Sequence, residues 1–387
     1  MYGPEHLQAL GSNALLDIYA GEINFKRLGG TIKVARILAE VESVAWPAVK
    51  KYLLKNIPLH LQHLPEGKFT LGLSVYGLQT DTESINRTAL EIKKVVRKSG
   101  RPVRVVPNKA LELNSAQVLH NKLTTLGSWE LLLVKNGSKT IVAQSFFVQD
   151  IDAYAARDQA RPRRDSRVGM LPPKLAQIII NLAIDKSLDY RSQSSEKSEI
   201  QDLRSRICVL DPFCGTGVVL QEALLMGYSV TGSDIEPRMV SYSQENLQWL
   251  VGKYPDIEGR VVLQTGDATT AKWPPFSVVA SEAALGPPLS SLPAPAEFKQ
   301  LVSEVNLTLK KFLKNLQPQL REDRKICLAV PAWRDNRGQL INLPLIDQIS
   351  DLGYNWVDFQ HAEPEDLVYF REDQTVARRL LVLVKKV

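Results

Sequence analysis

Three acidic residues set at intervals behind short apolar runs offer the clearest chemistry in this sequence. In Asp211-Pro-Phe-Cys-Gly-Thr-Gly217 an apolar run ends on a carboxylate and passes through a glycine-rich turn into a helical pattern. Glycines let backbone approach a ligand closely, and N–H groups at the mouth of a helix receive an anion such as the carboxylate of an amino acid. Asp211 is then placed to hold the ammonium of the same ligand, and Pro212, Phe213, Cys214, Gly215, Thr216 and Gly217 form the wall of the turn. Asp234 ends the next run, 23 residues on, where dinucleotide-binding folds place the acid that takes ribose hydroxyls. Asp267, in Gly266-Asp267-Ala268, ends the third and suits the amino group of an adenine, with Ile235 and Ala268 as apolar walls. Three aspartates at ordinary strand ends are the bland alternative, and their succession around a Gly-Thr-Gly turn argues against it. A nicotinamide dinucleotide is disfavoured, because the turn lacks the G-x-G-x-x-G spacing that a pyrophosphate needs.

These residues require a parallel sheet to line them up, and the pattern supplies one. From Ile207 onward ICVLD, YSVTGSD, VVLQTGD, FSVVAS, KICLAVP and ARRLLVLVKKV read as strands. Between them lie helical runs at Val218 to Met226, Pro237 to Val251, Pro295 to Leu316 and Leu343 to Leu352. Strand and helix in alternation predict βαβ units with helices on both faces. The expected fold is α/β, a doubly wound Rossmann-like sheet of about seven strands over 205–387, preceded by an α+β module over 1–155. The segment 156–204 reads as a connector: a basic, Pro-broken stretch, a helix in LAQIIINLAI, and a polar loop from Asp189 to Gln201.

Composition narrows the class. With 387 residues and 44% hydrophobic content the chain buries more than one core. The net charge of +6 is too modest to prove a polyanionic partner, so the position of the charge matters more. Three cysteines, and five histidines without paired spacing, suggest neither disulfides nor a metal site. No apolar run approaches a membrane span and the N-terminus has no leader pattern, so a cytoplasmic protein without a membrane partner is expected.

The motif DPFCGTG, the preceding RPRRDSRVGMLPPKLAQIIINLA and the closing YFREDQTVARRLLVL resemble the THUMP-domain tRNA guanosine N2-methyltransferases and their archaeal relatives. The resemblance covers most of the chain and is looser in the N-terminal half, around KFTLGLSVYG. It implies a THUMP-like RNA-binding module, a Rossmann-like methyltransferase domain, S-adenosyl-L-methionine as cofactor, and tRNA as partner. A small activating protein subunit accompanies some relatives. The family places Asp or Asn, then Pro-Pro-aromatic, after the fourth strand, to accept the amino N–H groups and stack on the base. The matching positions here are Glu282-Ala283-Ala284-Leu285-Gly286, with Pro287 and Pro288 displaced downstream. Glu282 retains an acceptor and the Ala283 carbonyl is expected to assist. Leu285 gives up a stacking ring worth about 1–3 kcal/mol. Cys214 is expected to pack, since a sulfonium needs no covalent nucleophile.

For RNA, Arg161, Arg163, Arg164 and Arg167 cluster in the connector, where arginine forks suit phosphate oxygens. Lys94, Arg97, Lys98 and Arg101 form a second run on a helix and the loop after it. A structural connector and a solvated helix face are the competing readings. The expected reaction is methylation of guanosine N2 in tRNA. Two rivals stand beside it: an amino-methyltransferase acting on DNA or rRNA, and an RNA-binding protein that keeps the cofactor but has lost its chemistry.

Overall fold

The computed structural model describes residues 4–18, 23–61, 66–165, 170–184, 207–322, 324–335 and 337–386. Two compact units result, one of Glu5–Lys26 and Thr31–Tyr154, the other of Met1–Pro4, Arg27–Gly30 and Ala155–Val387. The polar stretch expected from Asp189 to Gln201 lies outside the described residues.

The N-terminal unit opens with a small antiparallel pair, β1 (Leu7–Leu10) and β2 (Asn13–Leu16). Its main sheet comprises β3 (Lys33–Val41), β4 (Phe69–Tyr76), β5 (Val103–Val105), β6 (Ser128–Asn136) and β7 (Lys139–Val148) in the order β3-β7-β6-β4-β5. Helices α1 (Trp46–Leu61) and α2 (Thr82–Lys98) bury Val49, Leu53, Ile57, Ile85, Ala89, Ile92 and Val96 against it. These recur every three or four residues, as a single apolar helix face requires. Asp81 caps α2 by accepting from the Ser84 amide at 2.7 Å. The short α3 (Ser115–His120) carries a full capping box between Asn114 and Gln117.

Inside this sheet sits a charge network with every bond made. Lys33 on β3 pairs with Glu130 on β6, and its Nζ also donates to the Leu113 carbonyl. Ser74 and Ser145 donate to the two carboxylate oxygens at 2.6 and 2.8 Å. Four groups from four segments meet only in one register, which ties strand pairing to side-chain chemistry.

In the C-terminal unit, α4 (Ile151–Gln159) and α5 (Pro173–Ala183) precede the strands. The described strands are β8 (Cys208–Asp211), β9 (Ser229–Asp234), β10 (Val261–Thr265), β11 (Val278–Glu282), β12 (Lys325–Arg334), β13 (Leu340–Ile341), β14 (Tyr354–Trp356), β15 (Val368–Tyr369) and β16 (Val376–Lys385). Their order is β10-β9-β8-β11-β12-β16-β14, parallel from β10 to β12, with β16 antiparallel between β12 and β14. The short β13 and β15 add to β12 and β16. This is the doubly wound sheet that the alternation predicts.

Its middle strands read as continuous apolar runs because both faces are covered. On one face α5 packs with α6 (Val218–Leu225) and α7 (Pro237–Lys253) around Ile179, Ile180, Val219, Leu220 and Leu247. On the other, α8 (Pro295–Leu316) buries Val305, Leu309, Phe312, Leu313 and Leu316. The helix expected from Leu343 to Leu352 is instead a short 3-10 turn, Pro344–Gln348. The apolar residues Leu345, in this turn, and Ile349 and Leu352, after it, are buried, and Gly353 at φ 85° ends the segment.

Removing one partner of a buried ion pair costs about 3–5 kcal/mol, because the other charge is stranded. Lys33→Met is expected to lower stability by that amount in chemical denaturation, and Lys33→Met with Glu130→Gln to regain most of it. Equal losses in the single and double variants would contradict the coupling.

Candidate functional site

The parallel strands β8, β9 and β11 end on the same edge, and each ends on an acid: Asp211, Asp234 and Glu282. Ligands of open α/β sheets bind outside the carboxyl ends of the strands, at the point where strand order reverses, which here is β8 with β9 on one side and β11 on the other.

After Asp211 the chain turns sharply, with Gly215 at φ 48° and Gly217 at φ 84°, a region that glycine enters without steric penalty. The turn closes by the Gly217 amide donating to the Cys214 carbonyl at 2.7 Å. From behind, Ser243 Oγ on α7 donates to the Gly215 carbonyl and Asn246 Nδ2 to the Thr216 carbonyl, each at 2.8 Å. A methyl on Gly217 would stand 2.9 Å from Ser243 Oγ, whereas one on Gly215 would meet nothing within 4 Å. The turn is therefore packed behind Gly217 and open above Gly215, a cradle in which a ligand meets backbone directly. Cys214 is buried, as its packing role requires.

Asp211 is 2% exposed. Its Oδ1 accepts from Ser281 Oγ at 2.6 Å and from the Phe213 amide at 3.2 Å. Burial pushes its carboxyl up to about 7, against the pull of those two bonds, and the neighbouring Asp234 and Glu282 push it further. Asp234 accepts from the Gly215 and Glu236 amides at 2.9 and 3.0 Å, and burial raises its carboxyl as well. One bond on each oxygen leaves lone pairs for a ribose diol. Asp267 is exposed and accepts from the Thr269 amide at 2.8 Å, with Ala268 buried beside it and Ile235 63% exposed. A buried Asp211 raised further by the acids on either side marks a site short of positive charge, suited to a cationic ligand.

Glu282 holds a partner that the sequence did not indicate. Arg378 on β16 donates from Nε to Glu282 Oε1 at 2.7 Å, and burial raises the Glu282 carboxyl while Arg378 lowers it. The Arg378 Nη1 reaches Gln374 Oε1 at 3.3 Å. The Ala283 amide continues the ladder to the Ala329 carbonyl at 2.9 Å, and Leu285 is half-buried. Gly286, at φ 81°, turns the following loop so that Leu285 to Leu289 face residues 374–376 and Arg378 across a pocket of 140 Å³. Ser281, Ser243, Asn246, Gln374 and Arg378 were absent from the expected site. Ser281 adjoins the Glu282 motif, and Gln374 and Arg378 lie in the closing segment YFREDQTVARRLLVL, although Arg378 is 96 residues from its partner.

The basic residues divide. Arg161 is 3% exposed, with Nε and Nη2 lacking any hydrogen-bond partner, so its expected place facing RNA is corrected to an interior one. Burial lowers its pKa. Arg163 pairs with Glu245 at 2.7 Å and lies over the Tyr242 ring, Arg164 is exposed, and Arg167 lies outside the described residues. Lys94, Arg97 and Lys98 are exposed on α2. Arg101 instead donates to the Gly67 and Leu61 carbonyls at 3.2 and 2.9 Å, a use that fixes a loop.

No family model matches the chain. Over 93 residues it is 41% identical to a tRNA (guanine(10)-N2)-dimethyltransferase of Methanothermobacter thermautotrophicus, covering 24% of this chain and 22% of that one. Over 113 residues it is 33% identical to the enzyme of that name from Methanocaldococcus jannaschii, covering 28% and 27%. The chain thus matches about a quarter of the length of these relatives. Among solved structures, TrmN from Thermus thermophilus aligns over 95% of this chain and 88% of its own, at 15% identity and a TM-score of 0.49.

Strand order, the antiparallel β16 and acidic strand ends around a Gly-Thr-Gly turn define a Rossmann-like, doubly wound α/β fold. Within that class, the resemblance to tRNA guanine N2-methyltransferases holds in sequence over the matched segments.

A carboxyl with a folded pKa above its unfolded value of about 3.9 binds protons more readily in the folded state, so stability falls as pH rises between the two values. For Asp211 that window runs from about 4 to about 7. Asp211→Asn is expected to be near neutral at the lower end and stabilising by on the order of 4 kcal/mol above the upper end. Urea unfolding of both proteins across this range checks it, and a pH-independent difference would contradict the raised pKa.

Proposed function

We propose that the C-terminal unit binds S-adenosyl-L-methionine and that the chain methylates the exocyclic N2 amino group of a guanosine in tRNA. The observation that carries the reading is the row of three strand-end acids beside an open glycine cradle. A ligand bearing an ammonium and a sulfonium at one end and a ribose and adenine at the other fits this row. Asp211 holds the ammonium, the Gly215 turn receives the carboxylate, Asp234 takes the ribose hydroxyls, and Asp267 with Ala268 and Ile235 borders the adenine. When bound, this cofactor supplies a methyl group already activated by its positive sulfur.

What remains for the protein is to bind and aim the amino nitrogen, whose lone pair is delocalised into the base. Glu282 accepts an N–H of that amino group through Oε2, which takes no partner among the described residues. Its raised pKa lets the carboxylate take up the proton the nitrogen gives up. The named relatives support guanine N2 in tRNA as the target, and Lys94, Arg97, Lys98, Arg163 and Arg164 are the cations offered to phosphate. A cytoplasmic protein, and a small activating subunit as in some relatives, fit the same reading. Among the described residues no helix is long and apolar enough to cross a membrane.

A second reading has its own observation. Glu282 is already paired with Arg378, and Leu285 stands where a stacking ring is expected, which together favour a protein that binds cofactor and RNA without transferring methyl. Labelled methyl transfer to unmodified total tRNA, followed by nucleoside analysis, separates the two. N2-methylguanosine is expected, falling about 100-fold or more in Glu282→Gln. Cofactor and tRNA binding without transfer, with cell extract added, would establish the silent reading instead.

A further inference from the structure

Resting on the guanosine reading, we propose that Glu282 and Arg378 together read the Watson–Crick edge of guanine, and that the pocket between residues 285–289 and 374–378 receives the base. Along that edge guanine presents two donors and then an acceptor: the N2 amino group, N1–H and O6. The Glu282–Arg378 pair supplies the complementary groups, a carboxylate whose Oε1 is bound by Arg378 Nε and a guanidinium that lines the pocket, and in this proposal Oε2 and Oε1 accept while the guanidinium donates.

The bonds already made leave this face available. A carboxylate offers about four lone-pair positions, and Arg378 Nε occupies one of them, on Oε1. Arginine carries five N–H donors in a fixed fork. Nε is spent on Glu282 and Nη1 reaches Gln374, while Nη2 has no partner among the described residues and Arg378 lines the pocket. The Glu282 side chain keeps 15% of its surface exposed. Arginine donating to guanine O6 is a recurrent geometry of base recognition, and here the ion pair fixes its orientation before the base arrives. Leu285, Pro287, Pro288, Leu289 and Val376 give the pocket apolar walls for the faces of the ring.

The row discriminates by count. Guanine satisfies all three positions. Adenine, with an amino group beside an acceptor nitrogen, satisfies two and displaces its amino group along the row. Hypoxanthine keeps N1–H and O6 but has no amino group. Arg378 is thus a specificity residue, and its pairing with Glu282 is part of the recognition surface.

The test uses the full chain with S-adenosylhomocysteine present and the mononucleotides GMP, IMP and AMP, followed by saturation-transfer NMR. GMP is expected to bind about tenfold more tightly than either of the others. Arg378→Lys keeps a positive charge beside Glu282 but loses the fork, so it should weaken GMP by about tenfold while leaving S-adenosylhomocysteine affinity, the check on folding, unchanged. Equal binding of the three nucleotides, or a lysine variant that binds GMP as the parent does, overturns the proposal. Guanine selectivity without any methyl transfer would support the pocket and reject the enzymatic reading. N2-methylguanosine made by a protein that binds all three nucleotides equally would do the reverse.

Discussion

Asp211 is a buried carboxyl, pushed up to about 7, with further acids at the ends of the neighbouring strands and a seryl hydroxyl as its side-chain donor. An unpaired buried charge is costly, and a fold retains one when something outside the chain completes it. The rest of the C-terminal unit is arranged around this point. β8, an interior strand, delivers Asp211 to the edge where the strand order reverses, and β11 supplies Ser281 alongside. The glycine turn follows at once, and α7 buttresses it through Ser243 and Asn246 so that its open side faces outward. The charge that is missing is positive, which is why a cationic sulfonium with an ammonium end suits the site better than an anionic dinucleotide.

The corner at the end of β11 solves a different problem. Glu282 has its countercharge within the protein, because β16 runs antiparallel beside β12 and brings Arg378 to it. Buried ion pairs return little net stability once desolvation is counted, so their value lies more in fixed orientation. Holding a carboxylate and a guanidinium side by side next to a pocket gives a surface with defined donors and acceptors. On the proposed reading, Glu-Ala-Ala-Leu in place of Asp-Pro-Pro-aromatic gives up stacking and relies on polar recognition.

Much of this was legible in sequence, for physical reasons that differ by element. The strands Phe69–Tyr76 and Cys208–Asp211 and the helix Pro295–Leu316 show because periodicity and end signals act within a few residues. The three aspartates show because parallel strands must end on one edge, so that linear spacing carries spatial meaning. The closing segment that holds Arg378 showed, but its pairing with Glu282 did not, since nothing local marks which partner a residue meets from 96 positions away. Arg161 misled because composition gives charge but not burial, and a guanidinium in a basic run reads the same whether it points out or in. The expected helix at Leu343 did not form, as the apolar residues there pack from a 3-10 turn just as well. Ser243 and Asn246 support a turn by side-chain bonds to its carbonyls, a role for which serine and asparagine have no distinctive spacing.

The central claim is that Asp211 awaits a cation carried by an adenosyl ligand. Calorimetric titration of S-adenosyl-L-methionine into the full chain at pH about 6 and about 8 addresses it directly. With a carboxyl near 7, binding should tighten by up to about tenfold toward the higher pH, with proton release at the lower one, and Asp211→Asn should weaken it and flatten the dependence. No binding at either pH, or an affinity indifferent to both pH and Asp211, would contradict the account.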